Sequence, residues 1–238
     1  MILMNNSNLT NYRETGFEEV DGWCNHALFD VVDYLDNLDF NKSGGCMEIG
    51  VYQGKFFILL NSVIDPEYQS LALDIFGDQF LSLDQYGNEN LAAFEDNIQK
   101  FDAHQGSNVR IVQADSTDSQ LVEKFDIKPG SFRFISVDAG HSVEHTVSDL
   151  HLANQLVSNE GVVILDDFFH CHWPEVTEGV GRFLDSNPTL VPFAMGYNKL
   201  FFSKLSWQHR YFGEFMSMPL RSKIVTLYGH KVVVLGSH

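Results

Sequence analysis

The chain has 238 residues, 44% of them apolar, which is enough for one substantial core, and 15 Lys and Arg against 32 Asp and Glu leave a formal charge of −17. That balance argues against nucleic acid or an anionic membrane as a partner and suits a neutral or cationic small molecule. Cys24, Cys46 and Cys171 are widely spaced with no C-x-x-C pair, which argues against a disulfide framework or zinc knuckle and for a reducing cytoplasm. No apolar run approaches the roughly 18 residues that span a bilayer, and no basic-then-apolar leader is present.

Residues 1–15 are polar and Asn-rich and read as a flexible arm or lid. From His26 to Leu38 the positions Leu28, Val31, Val32, Leu35 and Leu38 recur at helical spacing, with Asn25 placed to cap the start. Residues 45–49 form an apolar run of strand length, and Phe56 to Leu60 the buried side of a following helix. Between them lies Glu48-x-Gly50-x-x-x-Gly54, a strand-to-helix turn of the kind that receives a ligand in α/β proteins. Here Gly50 is expected to let backbone approach a ligand, and Gly54 to let the helix start pack close to the strand.

Four further runs of strand length end in acids: residues 70–76 around Asp74, 109–116 with Asp115, 132–138 with Asp138, and 162–167 with the pair Asp166-Asp167. Helical spacing separates them, at Leu91, Phe94, Ile98 and Phe101, near 121–125, and at Val143, Val147, Leu150, Ala153 and Val157, where Asn159-Glu160-Gly161 is read as the stop. The polar stretch 77–90 is longer than a usual connection and is expected to fold over the ligand site. Pro174 suits the first turn of a helix reaching Leu184, residues 190–194 and 199–203 read as a hairpin, 208–216 as a helix, and 223–227 with 231–235 as a second hairpin. The whole reads as an α/β, doubly wound, mostly parallel sheet with its acids along the carboxyl edge. The chain divides into an arm and helix over 1–44, a core over 45–205 and a C-terminal helix and hairpin over 206–238 belonging to the same domain.

This order of motifs resembles the class I S-adenosylmethionine-dependent methyltransferases from about Cys46 to Ser203. Gly22-Trp23, Asp138-Ala139-Gly140-His141, Ile164-Leu165-Asp166-Asp167 and residues 191–201 resemble in particular the small-molecule O-methyltransferases of bacterial biosynthetic clusters. The resemblance implies a Rossmann-like sheet of seven strands with the last antiparallel, the first hairpin supplying the final two. It implies that Glu48, Gly50 and Gly54 lie under the methionine part of S-adenosylmethionine, that Asp74 receives the ribose hydroxyls, and that Asp115, with Ser116 beside it, receives the adenine amino group. The acceptor is then a hydroxyl of a small molecule, whether a sugar, polyketide or phenol. A nicotinamide-dependent oxidoreductase and a non-catalytic scaffold are the alternatives; the missing G-x-G-x-x-G counts against the first, the complete acid set against the second.

In such a fold Asp138, Asp166 and Asp167 converge. Two carboxylates about 4 Å apart repel by about 4 kcal/mol at an effective dielectric of 20. Basic residues are scarce nearby in the sequence, so the expectation is a divalent cation, Mg2+ or another, held by these three acids as in the catechol-type enzymes. The place of the lysine base of that group is taken here by His141, which a neutral imidazole can fill beside Asp138. His170 and His172 lie just past the paired acids, and Trp23, Phe17 and Tyr12 are candidates to close over an apolar acceptor. A homo-oligomer is left open.

Overall fold

The computed structural model describes residues 6–77 and 91–236. The first part comprises α1 (Ser7–Thr15), α2 (Ala27–Asp36), β1 (Gly45–Ile49), α3 (Lys55–Asn61) and β2 (Ser70–Asp74). Then come α4 (Leu91–Phe101), β3 (Val109–Gln113), α5 (Leu121–Lys124), β4 (Phe132–Val137), α6 (Val143–Leu156) and β5 (Val157–Leu165). The last part holds α7 (Pro174–Asp185), β6 (Leu190–Gly196), β7 (Lys199–Lys204), α8 (Leu205–Ser217), β8 (Arg221–Leu227) and β9 (His230–Leu235).

These strands make one sheet in the order β3-β2-β1-β4-β5-β7-β6-β9-β8. β1 to β5 pair in parallel, and β7 runs antiparallel between β5 and β6. Every position of β1 is buried, Cys46 facing one apolar layer while Met47 and Ile49 face the other, so the period of two is spent on both sides. The helices α1 to α4 and α8 cover the first layer, and α5 to α7 the second. Winding reverses between β1 and β4, and the chain leaves a crevice beyond their carboxyl ends.

Three expectations change, and a fourth goes untested. The sheet has nine strands rather than seven, because Val232, Val233 and Leu235 are buried where β9 pairs with β6, so the second hairpin covers the edge that β6 would otherwise expose. Residues 7–15 are helical: the Asn6 side chain accepts from the Asn8 and Leu9 N–H groups, and only Leu9 and Tyr12 are buried, too few for a readable apolar stripe. The expected stop at Asn159-Glu160-Gly161 lies inside β5, which begins directly after α6. There a Cβ on Gly161 would sit 2.9 Å from the carbonyl oxygens of Phe132 and Arg133, so this glycine serves close strand approach and not a turn. The stretch expected to fold over the site falls, beyond Gly77, outside the described residues.

Candidate active site

The glycine turn shapes the floor of the crevice. Gly50 has φ 81°, and a Cβ there would lie 2.0 Å from the Asp138 carbonyl oxygen, so its lack of a side chain lets the loop pass against the end of β4. Gly54 begins α3 at φ 92°, and its missing Cβ makes room for the Phe94 ring at 2.9 Å; the close packing is against α4, not against the strand. Asp74 fastens the turn from β2. Its Oδ2 accepts from the N–H groups of Val51 at 2.5 Å and Tyr52 at 3.0 Å, and Oδ1 accepts from Phe76 at 2.8 Å.

Above this floor opens a cleft of about 950 Å3 bounded by the ends of β1 to β5, the β6–β7 turn and residues 21–25. Glu48, Asp74, Asp115, Ser116, Asp138, His141, Asp166 and Asp167 all line it, so the structure brings the sequence candidates into one space. Gly54 is the exception: it sits one step behind the wall, acting through α3. Asp115 is drawn into its own turn, with Oδ1 accepting from the Thr117 N–H and hydroxyl at 2.8 and 2.7 Å. Behind Ser116, Asp149 on α6 is buried. Burial raises its pKa to about 7, against a lowering hydrogen bond from Ser116 and with a further rise from Asp115.

Glu48 is buried at the centre of the floor. Ser136 donates to its Oε1 at 2.7 Å, while Oε2 has no hydrogen-bond partner among the described residues. Burial pushes its carboxyl to about 8; the Ser136 bond and Lys199 lower it, and Asp166 and Asp74 raise it.

The acids at β4 and β5 separate into an inner and an outer set. Lys199, 2% exposed at the start of β7, places Nζ 2.6 Å from Asp166 Oδ2, 3.9 Å from Asp138 Oδ2 and 4.5 Å from the centre of the Phe56 ring. Burial alone would lower the lysine pKa, but the charges of Asp166 and Asp138 outweigh it and hold the ammonium protonated. Asp166 Oδ1 is taken by the Asp167 N–H at 2.8 Å and the Asn198 amide at 3.1 Å. Asp138 keeps 28% of its side chain open to the cleft; its pKa is nevertheless raised, by the enclosure and then by adjacent Asp166, with Lys199 opposing.

In the outer set, Asp167 sits at φ 56°, with Oδ1 accepting from Asn198 at 2.6 Å and Oδ2 2.9 Å from His141 Nε2. Burial would raise its pKa, but the bonds from His141 and Asn198 and the nearby His141 and His170 charges carry it below the ordinary value. The His141 ring stacks on Trp173, centroids 4.2 Å apart and planes 15° from parallel. Ligand atoms of Asp138, His141 and Asp167 lie within 4.8 Å of one another.

The supposed scarcity of basic groups is thus overturned by Lys199, together with Asn198 the feature that sequence reasoning left without a role. Their signal was a lysine and an asparagine just ahead of the wholly apolar Leu200-Phe201-Phe202. Of the proposed aromatic lid, Tyr12 and Phe17 are buried in the core, and Trp23, 78% exposed, stacks on Tyr52 of the glycine turn at 5.8 Å. His170 and His172 stand on the rim.

A family model described as "Methyltransferase domain" matches residues 47–168, the stretch from β1 through the acid pair after β5, which is half of the chain. The chain belongs to this methyltransferase domain family. Its architecture is the Rossmann-like class I methyltransferase fold, enlarged by one hairpin. An O-methyltransferase from Bacillus cereus in complex with SAH superposes with a TM-score of 0.56 at 16% identity, over 85% of this chain and 92% of that one. The TDP-rhamnose 3'-O-methyltransferase of calicheamicin biosynthesis superposes at 0.52 and 15% identity, over 75% and 80%. The methyltransferase MycE, in complex with Mg, SAH and mycinamycin VI, gives 0.55 and 15%, over 84% of this chain and 54% of its own length. At these identities the likeness carries the fold. No curated protein matches the sequence. Among the described residues no helix of this methyltransferase is long and apolar enough to cross a membrane.

Proposed function

We propose that this methyltransferase transfers the methyl group of S-adenosylmethionine to a hydroxyl of a neutral or cationic small molecule, with His141 as the proton acceptor. The observation that carries the reading is the His141–Asp167 pair, 2.9 Å apart, on the wall of the same cleft that the glycine turn floors. Two solved structures of the same fold hold SAH, one named an O-methyltransferase and the other a methyltransferase, which supports the cofactor and the reaction class.

The residues fit the cofactor. Glu48 Oε2 is a buried acceptor in need of a donor, and the ammonium of the methionine part supplies one. Asp74 Oδ1 carries one backbone donor and retains a lone pair for a ribose hydroxyl, while Asp115 and Ser116 line the same cleft and are the groups we assign to the adenine. The sulfonium is a cation entering an acid-lined cleft in a chain of charge −17. The same field disfavours a polyanionic acceptor and nucleic acid. Free thiols at Cys24, Cys46 and Cys171 suit the cytoplasm.

For the transfer, the acceptor hydroxyl must lie in line with the sulfonium methyl and lose its proton. With Nε2–H donated to Asp167, His141 presents Nδ1 as the base, and the carboxylate stabilises the imidazolium that results. Trp173 holds the ring plane. A second reading follows from the spacing of Asp138, His141 and Asp167: these three suit a divalent ion, whose chemistry would be to polarise the acceptor hydroxyl. Asp166, counted among the ligands from the sequence, is committed to Lys199 instead.

Calorimetric titration with S-adenosylhomocysteine, NAD and NADP tests the cofactor: binding of the first alone supports the reading, and binding of a nicotinamide in its place overturns it. Transfer from methyl-labelled cofactor to a panel of hydroxyl acceptors, with and without EDTA, then separates the imidazole base from the divalent ion.

A further inference from the structure

We propose that Lys199 is a built-in counter-cation of the acceptor site, a positioning residue that takes at its inner half the place a divalent ion would otherwise fill. The inference deepens the reading above and rests on it for the identity of the site. Three acids meet at two adjacent strand ends, and among the described residues a buried lysine reaches two of them: Nζ lies 2.6 Å from Asp166 and 3.9 Å from Asp138. At 2% exposure the ammonium is almost wholly enclosed, at the edge of the cleft wall and behind the two carboxylates it pairs with. Its head lies over the Phe56 ring, and it emerges from β7, a strand whose next three residues are fully buried, so it sits in an enclosed part of the fold.

The consequence is a division of labour among the carboxylates. Lys199 neutralises Asp166 and steadies Asp138, so that Asp167 is left to orient His141 at the cleft surface. Without the lysine, Asp166 and Asp138 would face each other uncompensated, and their repulsion would be relieved by a proton held between them or by an added cation, of which the proposal takes the second. A purely space-filling lysine makes no such demand.

The test compares Mn2+ affinity by calorimetry in the full-length wild type, Lys199→Met and Lys199→Arg, with S-adenosylhomocysteine titrated separately into each. Lys199→Met should gain Mn2+ binding, or bind it about tenfold or more tightly than the wild type, and Lys199→Arg should return to wild-type behaviour. A folded Lys199→Met protein with equal or weaker Mn2+ affinity overturns the proposal. Should Lys199→Met fail to fold, Lys199→Met combined with Asp166→Asn decides: recovery of a folded protein supports a charge role, and failure of both refutes it. Absence of homocysteine-cofactor binding in the wild type would sink the methyltransferase reading while leaving the Mn2+ comparison intact.

Discussion

The contribution of Glu48 to the stability of the ligand-free protein should fall as pH rises. Its carboxyl, ordinarily at 4.5, is carried to about 8 in the fold, chiefly by burial. Between those values the unfolded chain has released the proton and the folded chain retains it, so the stabilisation complete below pH 4.5 is lost as pH rises towards 8. The slope is roughly 1.4 kcal/mol per pH unit and about halves near pH 8, which makes about 2 kcal/mol between pH 6 and pH 8. Glu48→Gln keeps the size and an oxygen for Ser136 but has no proton to lose. Urea unfolding of both proteins at pH 6, 7 and 8 should show the wild type weakening by that amount relative to the variant, the comparison cancelling Asp149 and Asp167. A bound ammonium should force Glu48 to ionise, so cofactor binding at pH 7 should release a proton and give an enthalpy that depends on the buffer. Parallel pH profiles for the two proteins would refute the argument.

Asp74→Ala strands the N–H groups of Val51, Tyr52 and Phe76, and at about 1–3 kcal/mol for each unsatisfied donor should lower unfolding stability by about 3 kcal/mol or more, with at least a tenfold loss of S-adenosylhomocysteine affinity by calorimetry. His141→Ala should reduce kcat about a hundredfold or more while the calorimetric Kd for S-adenosylhomocysteine stays within twofold, because on the proposed reading the imidazole, paired with Asp167, serves the acceptor and not the cofactor. Gly50→Ala should cost about 3 kcal/mol by urea midpoint, since its Cβ would meet the Asp138 carbonyl at 2.0 Å in a backbone already at φ 81°.

The five parallel strands were legible because each carries a short apolar run stopped by a turn or an acid; β1, β2 and β4 are buried on both faces, which leaves little ambiguity, whereas β3 at the sheet's edge is only partly buried and β5 starts earlier than its apolar run. The acids could be located for the same reason. Their partners could not. Asp166 and Lys199 are brought together by the antiparallel return of β7 beside β5, a pairing that no local spacing encodes. Asp74 likewise was readable as a site residue, yet its three bonds to backbone depend on where the turn after β1 comes to rest. The helix α1 was hidden by its polarity, and the nine-stranded count by the fact that a hairpin's own pattern does not say which edge it will join.

That last joining bears on how the chain is made. β6 is paired on one side by β7 almost as soon as both exist, but its other side waits for β9, and at roughly 5–20 residues per second the stretch from Gly196 to His230 takes a few seconds to synthesise. Throughout that interval the nascent sheet carries an open edge next to Phe193 and Phe201, both of which end up wholly enclosed. Chains that have released β6 and β7 but not yet joined β9 should therefore be the aggregation-prone species, and the hairpin acts as the closing step of the sheet's assembly as well as its border.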